Sequence, residues 1–310
     1  MTPMERRSRA RRLERMFAGM SGSVDHVAAF GEHRPLLFSI AYRMLGSVAD
    51  AEDVLQDAYL KWERAGEADV RSPRDYLATT VTRLSVDHLR SARVRREVYV
   101  GPWLPEPLVG VDARDPLAAV TLAESLSTAF LVLLERLTPT QRAAFLLRDV
   151  FDYDYVDVAR ILGVTEANAR QLVQRAKRHI AEKRPRFEST SVRSTELAQC
   201  FLDACRTGDA DALVGMLADD VVAWADGGGK FSAARRPVHG IDRVARFVRS
   251  VVAKWRESGS VAVEPVNGGV GLLFRAGGRL RAVLTVGADS ESGRVKSVFI
   301  QVNPDKLESA

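Results

Sequence analysis

The chain has 310 residues, enough for two or three domains, and 46% of them are hydrophobic, which excludes a wholly disordered protein. The net charge is +5, and the cations are concentrated in segments 6–15, 83–96 and 170–186, a pattern that indicates a polyanionic partner. The only two cysteines, Cys200 and Cys205, are five residues apart on one predicted helix and point apart, and no apolar run approaches the ~20 residues of a membrane span, so we expect a soluble cytoplasmic protein without membrane contact.

The N-terminal part predicts an arm followed by a helical domain. Residues 1–22 are basic and are expected to form a flexible arm, which either touches DNA or is a disordered tail. Residues 23–97 carry three amphipathic helical patterns, so they predict an all-α domain. The third helix is expected to start at Ser72, with Pro73 at its first position and Asp75 in its first turn.

The second of these helices is acidic on one side. Asp50, Asp53 and Asp57 are three and seven residues apart and share a face, whereas Trp62 lies nearer the core. The acids indicate either a protein-docking surface or a solvated face, because acidic residues near a helix start also favour the helix dipole.

The third helix and the residues after it carry a basic surface with aromatic side chains nearby, including Tyr99. Such a surface can hold single-stranded DNA by backbone attraction and base stacking. Tyr76 also fits an ordinary core position. The candidate residues are Tyr76, Arg83, Asp87, Arg90, Arg93, Arg95 and Arg96.

A proline-rich segment then separates two helical domains. Residues 98–116 contain four prolines, which disfavour helix and predict an extended, semi-rigid linker. Residues 117–184 predict a second all-α domain, within which Thr138 and Gln141 form a capping box.

The end of this domain predicts a helix-turn-helix. A short helix ends at Gly163, and Thr165 is placed to cap a second helix whose apolar stripe is Ala169, Val173, Ala176 and Ile180. Arg and Gln pair with guanine and adenine edges, so the opposite face could read DNA bases. The alternative is a helical hairpin with a solvated basic face. The residues of this face are Asn168, Arg170, Gln171, Gln174, Arg175 and Arg178.

The C-terminal part changes character. After a linker at 185–194, residues 195–307 predict two helices, TELAQCFLDACRTG and ADALVGMLADD, then a strand VVAWAD, a third helix and four further strands. Helices followed by a curved antiparallel sheet indicate an α+β domain. The segment 226–230 lies between the strand VVAWAD and the third helix. It fits a flexible loop, a hairpin-like turn or a backbone that must approach something closely. Its residues are Asp226, Gly227, Gly228, Gly229 and Lys230.

Two segments resemble a known family. DAEDVLQDAYLKW and SPRDYLATTVTRLSVDHLRSARVRR resemble region 2 of the sigma-70 family, and LTPTQRAAFLLRDVFDYDYVDVARILGVTEANARQLVQRAKRHI resembles region 4, in the arrangement of the extracytoplasmic-function sigma factors. The resemblance implies two partners: core RNA polymerase, through its β′ clamp and β subunit, and promoter DNA. It implies that the basic surface of the third helix recognises and melts the −10 element, and that the helix-turn-helix reads the −35 element. It also assigns Asp50, Asp53, Asp57 and Trp62 to the polymerase-binding surface.

The resemblance extends to the C-terminal domain. WLPEP, DGGGK and NPDKL resemble the subgroup with a fused SnoaL-like domain, which implies two all-α domains followed by an α+β cone. We expect this domain to regulate the protein in cis, through DGGGK or the NPDKL tail, and we predict no catalytic residue, metal or cofactor. A small-molecule ligand in the cone is possible on this reading.

Two other functions stay open. In the first, the cone binds a small molecule or is an isomerase- or cyclase-like enzyme with Asp226 or His239 as its general base, although His239 also fits a loop or capping position. In the second, the chain is an ordinary helix-turn-helix repressor. The acidic helix and the two separate DNA-facing domains disfavour the repressor.

Overall fold

A computed structural model of the chain describes residues 24–65, 72–96, 99–110, 126–183, 192–289 and 292–308. The predicted arm at 1–22 lies outside these residues, as do most of the predicted linker at 185–194 and the end of the linker at 98–116.

Three long helices form the first unit. They are α1 (Val24–Leu45), α2 (Val48–Ala65) and α3 (Pro73–Arg96). The start of α3 is as predicted, since the Ser72 hydroxyl accepts a hydrogen bond from the backbone N–H of Asp75 at 3.3 Å. Apolar residues at helical spacing, such as Val54 and Ala58 of α2, are buried between the three helices.

The second unit is also helical. Its elements are α4 (Thr128–Leu134), α5 (Pro139–Phe145), a π-helical turn at Leu146–Val150, α6 (Tyr155–Leu162) and α7 (Glu166–Lys183). The predicted capping box at Thr138 and Gln141 is confirmed at the start of α5. Gly163 ends α6 in the left-handed conformation that glycine adopts without strain, and the Thr165 hydroxyl accepts the N–H of Asn168 at 3.3 Å at the start of α7.

The two helical units share one hydrophobic core rather than two. Buried residues of α1–α3, such as Leu37 and Leu77, belong to the same cluster as Leu134, Val158 and Val173 of the second unit. A shared core means that the two units are held together by apolar burial as well as by polar contacts.

The C-terminal unit is α+β. Its helices are α8 (Val192–Thr207), α9 (Ala210–Met216) and α10 (Ile241–Ser258). Its strands are β1 (Leu217–Asp226), β2 (Val238–His239), β3 (Ser260–Val266), β4 (Gly269–Ala276), β5 (Arg279–Asp289) and β6 (Arg294–Gln301). The strand order is β2-β1-β6-β5-β4-β3.

Two details of this unit differ from the prediction. The helix expected over 210–220 ends at Met216, because Leu217 already pairs with Val295 of β6. The sheet is mixed rather than antiparallel, since β1 runs parallel to β6 while the other neighbours are antiparallel. The predicted architecture, two all-α units followed by an α+β domain with a sheet against helices, is confirmed.

The proline-rich segment is extended, but it is not an exposed spacer. Leu104 and Leu108 are buried, and Leu104 packs with Ala129 of α4 and Phe299 of β6. The Leu108 carbonyl accepts the N–H of Asn267 at 3.0 Å, and Val109 forms a β-bridge with Val266. The segment therefore contacts all three units.

Candidate nucleic-acid and polymerase interfaces

The helix-turn-helix presents the predicted polar face to solvent. The apolar stripe of α7, from Ala169 to Ile180, is buried against α5 and α6, which turns the other side outwards. Leu172 is half-buried and packs against the core, so it does not interrupt this face. The exposed residues include all six predicted for the −35 element: Asn168, Arg170, Gln171, Gln174, Arg175 and Arg178.

Arg170 is held in place by its neighbours. Its guanidinium carbon lies 4.2 Å from the centre of the Tyr155 ring, and its Nε lies 3.1 Å from Oε1 of Glu166. Arg148 approaches the same ring, at 5.2 Å. A cation over an aromatic face is attracted by the ring quadrupole, so Tyr155 and Glu166 together restrict the orientation of Arg170.

The basic surface of α3 is only partly free. Tyr76 is half-buried with its ring 5.6 Å from that of Trp62, which supports the core alternative for its position. Asp87 and Arg90 are exposed and lie 3.5 Å apart. The side chains of Arg93, Arg95 and Arg96 lie outside the described ones, although their backbone is helical.

Arg83 joins the two helical units. Its Nε donates to the carbonyl oxygen of Ile161 at 2.8 Å, and its Nη2 donates to that of Arg160 at 3.0 Å, both in the last turn of α6. Arg142 makes the reciprocal contact, since its Nη1 donates to the carbonyl of Met44 in the last turn of α1 at 2.5 Å. Each arginine therefore caps the negative end of a helix in the other unit.

The acidic face of α2 is at the surface. Asp53 and Asp57 are exposed, and Asp50 lies 3.5 Å from His88 of α3. Trp62 is different: it is 3% exposed, and its indole N–H donates to the carbonyl of His26 at 3.1 Å. The assignment of Trp62 to the polymerase-binding surface is therefore corrected, because its side chain belongs to the core.

A second polar cluster joins the linker to the C-terminal unit, and we call it the interdomain junction. It consists of Tyr99, Trp103 and Leu104 from the linker, the segment 226–230, and Gln301, Asn303, Asp305 and Lys306. WLPEP, DGGGK and NPDKL thus meet at one place.

Asp226 is the centre of the interdomain junction. It is fully buried at the end of β1 and accepts hydrogen bonds from Tyr99 Oη at 2.5 Å, from the backbone N–H of Leu104 at 2.9 Å and from Lys306 Nζ at 2.8 Å. Burial raises the pKa of Tyr99 above its usual range, and the hydrogen bond to Asp226 raises it further, so the phenol remains a donor. The Lys306 ammonium also lies 4.1 Å from the Trp103 ring centre.

Sequence reasoning placed Tyr99 with the DNA-stacking aromatics, and the structure places it in the interdomain junction instead. The sequence reasoning also missed Glu106, which is buried and accepts the N–H of Val48 at 2.8 Å through Oε2. The linker therefore caps the first turn of the acidic helix α2. In the sequence, the one signal for this contact is an acidic residue between Pro105 and Pro107, and that signal is weak.

Segment 226–230 forms a turn in which the N–H groups of Lys230 and Phe231 donate to the carbonyl of Gly227, and close approach explains Gly227 and Gly228. A Cβ at Gly227 would lie 2.3 Å from the carbonyl oxygen of Phe231, and one at Gly228 would lie 2.3 Å from Nδ2 of Asn303. Lys230, by contrast, is exposed, and its Nζ lies 2.6 Å from Asp305 Oδ2 at the surface. The segment fits against the tail because Gly228 has no side chain where Asn303 approaches it.

The two candidate general bases lie in different surroundings. Asp226 is saturated by donors of the interdomain junction, and His239 is exposed on the short edge strand β2. Among the described residues, no cluster of His, Cys, Asp and Glu could hold a metal ion. Within the same residues, no helix is long and apolar enough to cross a membrane.

Comparison with known proteins matches both helical units. Residues 29–95 match the family "Sigma-70 region 2", and residues 127–180 match the family "Sigma-70, region 4". The chain is 39% identical over 290 residues to the ECF RNA polymerase sigma factor SigJ of Mycobacterium tuberculosis, covering 91% of this chain and 93% of that one. It is 32% identical to the probable ECF RNA polymerase sigma factor SigI of the same organism, covering 91% and 94%.

A solved structure supports the same relationship. The crystal structure of Mycobacterium tuberculosis SigJ superposes with a TM-score of 0.73 at 36% identity, and the match covers 92% of this chain and 99% of that one. The likeness thus includes the C-terminal unit and its position as well as the two helical units.

Proposed function

Because the chain belongs to the extracytoplasmic-function RNA polymerase sigma factors of the sigma-70 family, we propose that it binds core RNA polymerase and directs it to promoters. The similarity to SigJ over almost the whole of both chains carries this proposal. The C-terminal unit is proposed to modulate this activity in cis through the interdomain junction.

The acidic face of α2 is the proposed docking surface for the polymerase. Asp53 and Asp57 are exposed on a helix whose other side is buried, so this face presents carboxylates at the surface, where they complement a basic partner. The polymerase surface proposed to receive them is the β′ clamp.

The exposed face of α7 is the proposed reader of the −35 element. Its Arg and Gln side chains project from the first turns of the second helix of a helix-turn-helix, the part that contacts base edges in such motifs. The basic residues of α3 are the proposed −10 surface.

These two surfaces cannot act together in the present arrangement. The −10 and −35 elements lie about 25 base pairs apart, or roughly 85 Å at about 3.4 Å per base pair. Here Arg83 of the −10 surface is hydrogen-bonded to the last turn of α6, beside the −35 reader. We therefore propose that the structure is a closed state and that the units separate on the polymerase.

The interdomain junction is proposed to stabilise the closed state. It fixes the linker between the two DNA-facing units to the C-terminal domain, and the linker in turn caps α2 through Glu106. Because the C-terminal domain is tethered to the helical units, its effective concentration near them is high. Its contacts with the linker therefore stay occupied even if each one is weak. No separate inhibitor protein is needed for this mechanism.

Transcription in vitro tests the main proposal. Core polymerase supplied with the protein should initiate at a selected promoter, and the protein alone should bind duplex DNA poorly. Asp53→Lys should weaken binding to core polymerase, whereas Glu257→Lys, at an exposed acid near the end of α10, should not. Tight duplex binding without polymerase would instead identify a repressor.

Two truncations test the regulatory proposal. Deleting 303–310 removes the donors of the tail but keeps the sheet over the linker, whereas deleting 195–310 also removes Phe299, against which Leu104 packs. The two proteins should therefore differ from the full chain and from each other in transcription. If both matched the full chain while the isolated domain converted a small molecule, the enzyme alternative would replace this proposal.

A further inference from the structure

The turn between β3 and β4 contacts residues that are far from it in sequence. Asn267 of this turn donates its backbone N–H to the carbonyl of Leu108 at 3.0 Å, and its Oδ1 accepts the N–H of Leu108 at 2.6 Å. One residue thus pairs with both backbone groups of Leu108, as a neighbouring strand would, with a side-chain oxygen in place of a carbonyl. The same side chain lies near both helical units, with Oδ1 3.5 Å from Tyr42 Oη and Nδ2 3.4 Å from Thr128 Oγ1.

The burial of this turn is not a consequence of its backbone. Asn267 and Gly268 have φ +52° and +72°, and Asn-Gly is a preferred sequence for two-residue hairpin turns with positive φ. Such turns ordinarily lie at the surface, as Gly277 and Gly278 do between β4 and β5. Asn267, by contrast, is only 2% exposed. The turn is therefore covered by the linker and the helical units rather than by its own sheet.

The helical units hold the same part of the linker from the other side. The Tyr42 hydroxyl of α1 donates to the carbonyl of Glu106 at 2.6 Å, and the Glu106 N–H donates to the carbonyl of Gly46 at 2.8 Å. Burial raises the pKa of Tyr42 above its usual range, so the phenol remains a donor. Residues 106–108 therefore lie between the α1–α2 corner and the β3–β4 turn.

Glu106 connects this arrangement to the acidic helix α2. Its Oε2 accepts the N–H of Val48, the first residue of that helix, at 2.8 Å. Leu108 is only two residues further along the chain, and two residues span at most about 7 Å. A displacement of Leu108 is therefore passed to Glu106 with little slack, and from there to the start of α2.

From these contacts we propose that the β3–β4 turn is a second latch, through which the C-terminal domain holds the linker and the start of α2 in the closed state. The interdomain junction holds the linker at Tyr99 and Leu104, whereas the turn holds it at Leu108. Three strands of the sheet lie between β1, which ends at the junction, and β3, which precedes the turn. The regulatory role of the latch rests on the proposed function, but the latch itself is a property of the free protein.

Amide hydrogen exchange of the full chain without polymerase, measured at single residues, tests the latch. Asn267→Gly removes the side chain but keeps a residue suited to positive φ, so the turn is retained. The Leu108 amide should then exchange about fivefold or more faster, because it loses its acceptor, and the Val48 amide should also exchange faster. An unchanged Val48 amide would overturn the coupling to α2.

The matched control is Asp152→Gly. Asp152 is the other non-glycine residue with positive φ in the part of the chain that the structure describes. It is exposed, and its Oδ1 accepts a hydrogen bond from Arg148 of its own unit at 3.3 Å. Asp152→Gly should leave the exchange of Leu108 unchanged. Faster exchange of Leu108 in this control would mean that the effect of Asn267→Gly is not specific to the latch, and would overturn it.

A further variant separates the latch from the interdomain junction. Lys306→Met removes a donor of the junction, so it should speed exchange of the Leu104 amide, which donates to Asp226, more than that of Leu108. Asn267→Gly should do the reverse. The latch is overturned if Asn267→Gly leaves the exchange of Leu108 unchanged, or if both variants change the Leu104 and Leu108 amides in the same ratio.

Transcription by the same variant distinguishes the latch from the proposed function. At limiting core polymerase, Asn267→Gly should raise the yield of transcript by about twofold or more, because the closed state loses a hydrogen bond. Faster exchange of Leu108 without a gain in transcript would support the latch and count against regulation in cis. Unchanged exchange would overturn the latch whatever the transcript yield.

Discussion

Gly228 lies where the backbone of segment 226–230 passes the side chain of Asn303. An added Cβ would lie 2.3 Å from the Asn303 amide, and the residue has φ +58°. Gly277 in the β4–β5 turn has the same φ of +58° with nothing within 4 Å of its Cβ position. An alanine at either position would adopt a strained left-handed backbone, but only an alanine at Gly228 would also clash. Comparing the two variants therefore separates the cost of the backbone from the cost of the clash.

We predict that Gly228→Ala lowers the free energy of unfolding by about 1–3 kcal/mol more than Gly277→Ala does, because only the first variant forces the tail away. Chemical denaturation of the two variants measures this difference. Equal losses would show that the tail does not approach segment 226–230 as described.

Arg170 gives a second prediction at a single position. Replacing Tyr155 by Ala removes the ring that lies 4.2 Å from its guanidinium, so the base preference that we propose for Arg170 should weaken by about 0.5–1 kcal/mol. Tyr155→Phe keeps the ring and should keep the preference. The measurement is binding of the holoenzyme to promoters with each base at every −35 position, and a Phe variant as relaxed as the Ala variant would count against the ring.

Helix α2 depends on a residue outside itself. Glu106 Oε2 accepts the N–H of Val48 at 2.8 Å and the Ser47 hydroxyl at 3.2 Å, and its charge lies at the positive end of the helix. Glu106→Ala should cost about 1–2 kcal/mol of stability, and Glu106→Gln less, because the amide keeps an acceptor. Thermal denaturation compares the two, and equal losses would mean that the cap contributes little.

The elements differ in how well the sequence alone predicts them. Periodicity and caps are local signals, so α7, with its buried stripe and Thr165 cap, was predicted well. The end of α9 was not, because Leu217 is extended through pairing with Val295, which is distant in sequence. Arg83 of the candidate site is a second example. The sequence shows that it is a cation, but its contact with the last turn of α6 depends on how the two units pack, which no local pattern predicts.

The whole molecule combines these contacts into one closed state. The two helical units share a core, Arg83 and Arg142 each cap a helix of the opposite unit, and the linker between them is buried against the C-terminal sheet. On the proposed mechanism, these units separate when the protein binds a promoter. Any change that weakens the interdomain junction without disturbing the DNA-facing surfaces should therefore favour the active form.

Lys306 and Lys230 offer a matched pair of changes. Both lysines pair with an aspartate between segment 226–230 and the tail, but the Lys306–Asp226 pair is buried, whereas the Lys230–Asp305 pair is more than half exposed. Removing one partner of a buried pair costs about 3–5 kcal/mol, and an exposed pair contributes at most about 1 kcal/mol. Lys306 Nζ also donates to the carbonyl of Leu104 in the linker at 2.5 Å, so Lys306→Met should weaken the closed state far more than Lys230→Met.

Run-off transcription at limiting core polymerase, with the full chain and these two variants, most directly tests the proposal that the C-terminal domain regulates the sigma factor. We predict that Lys306→Met raises the yield of transcript by about fivefold or more, in line with the loss of the buried pair, while Lys230→Met stays near the level of the unmodified chain. A Lys306→Met protein that remains folded and transcribes no more than the Lys230→Met protein would contradict the account.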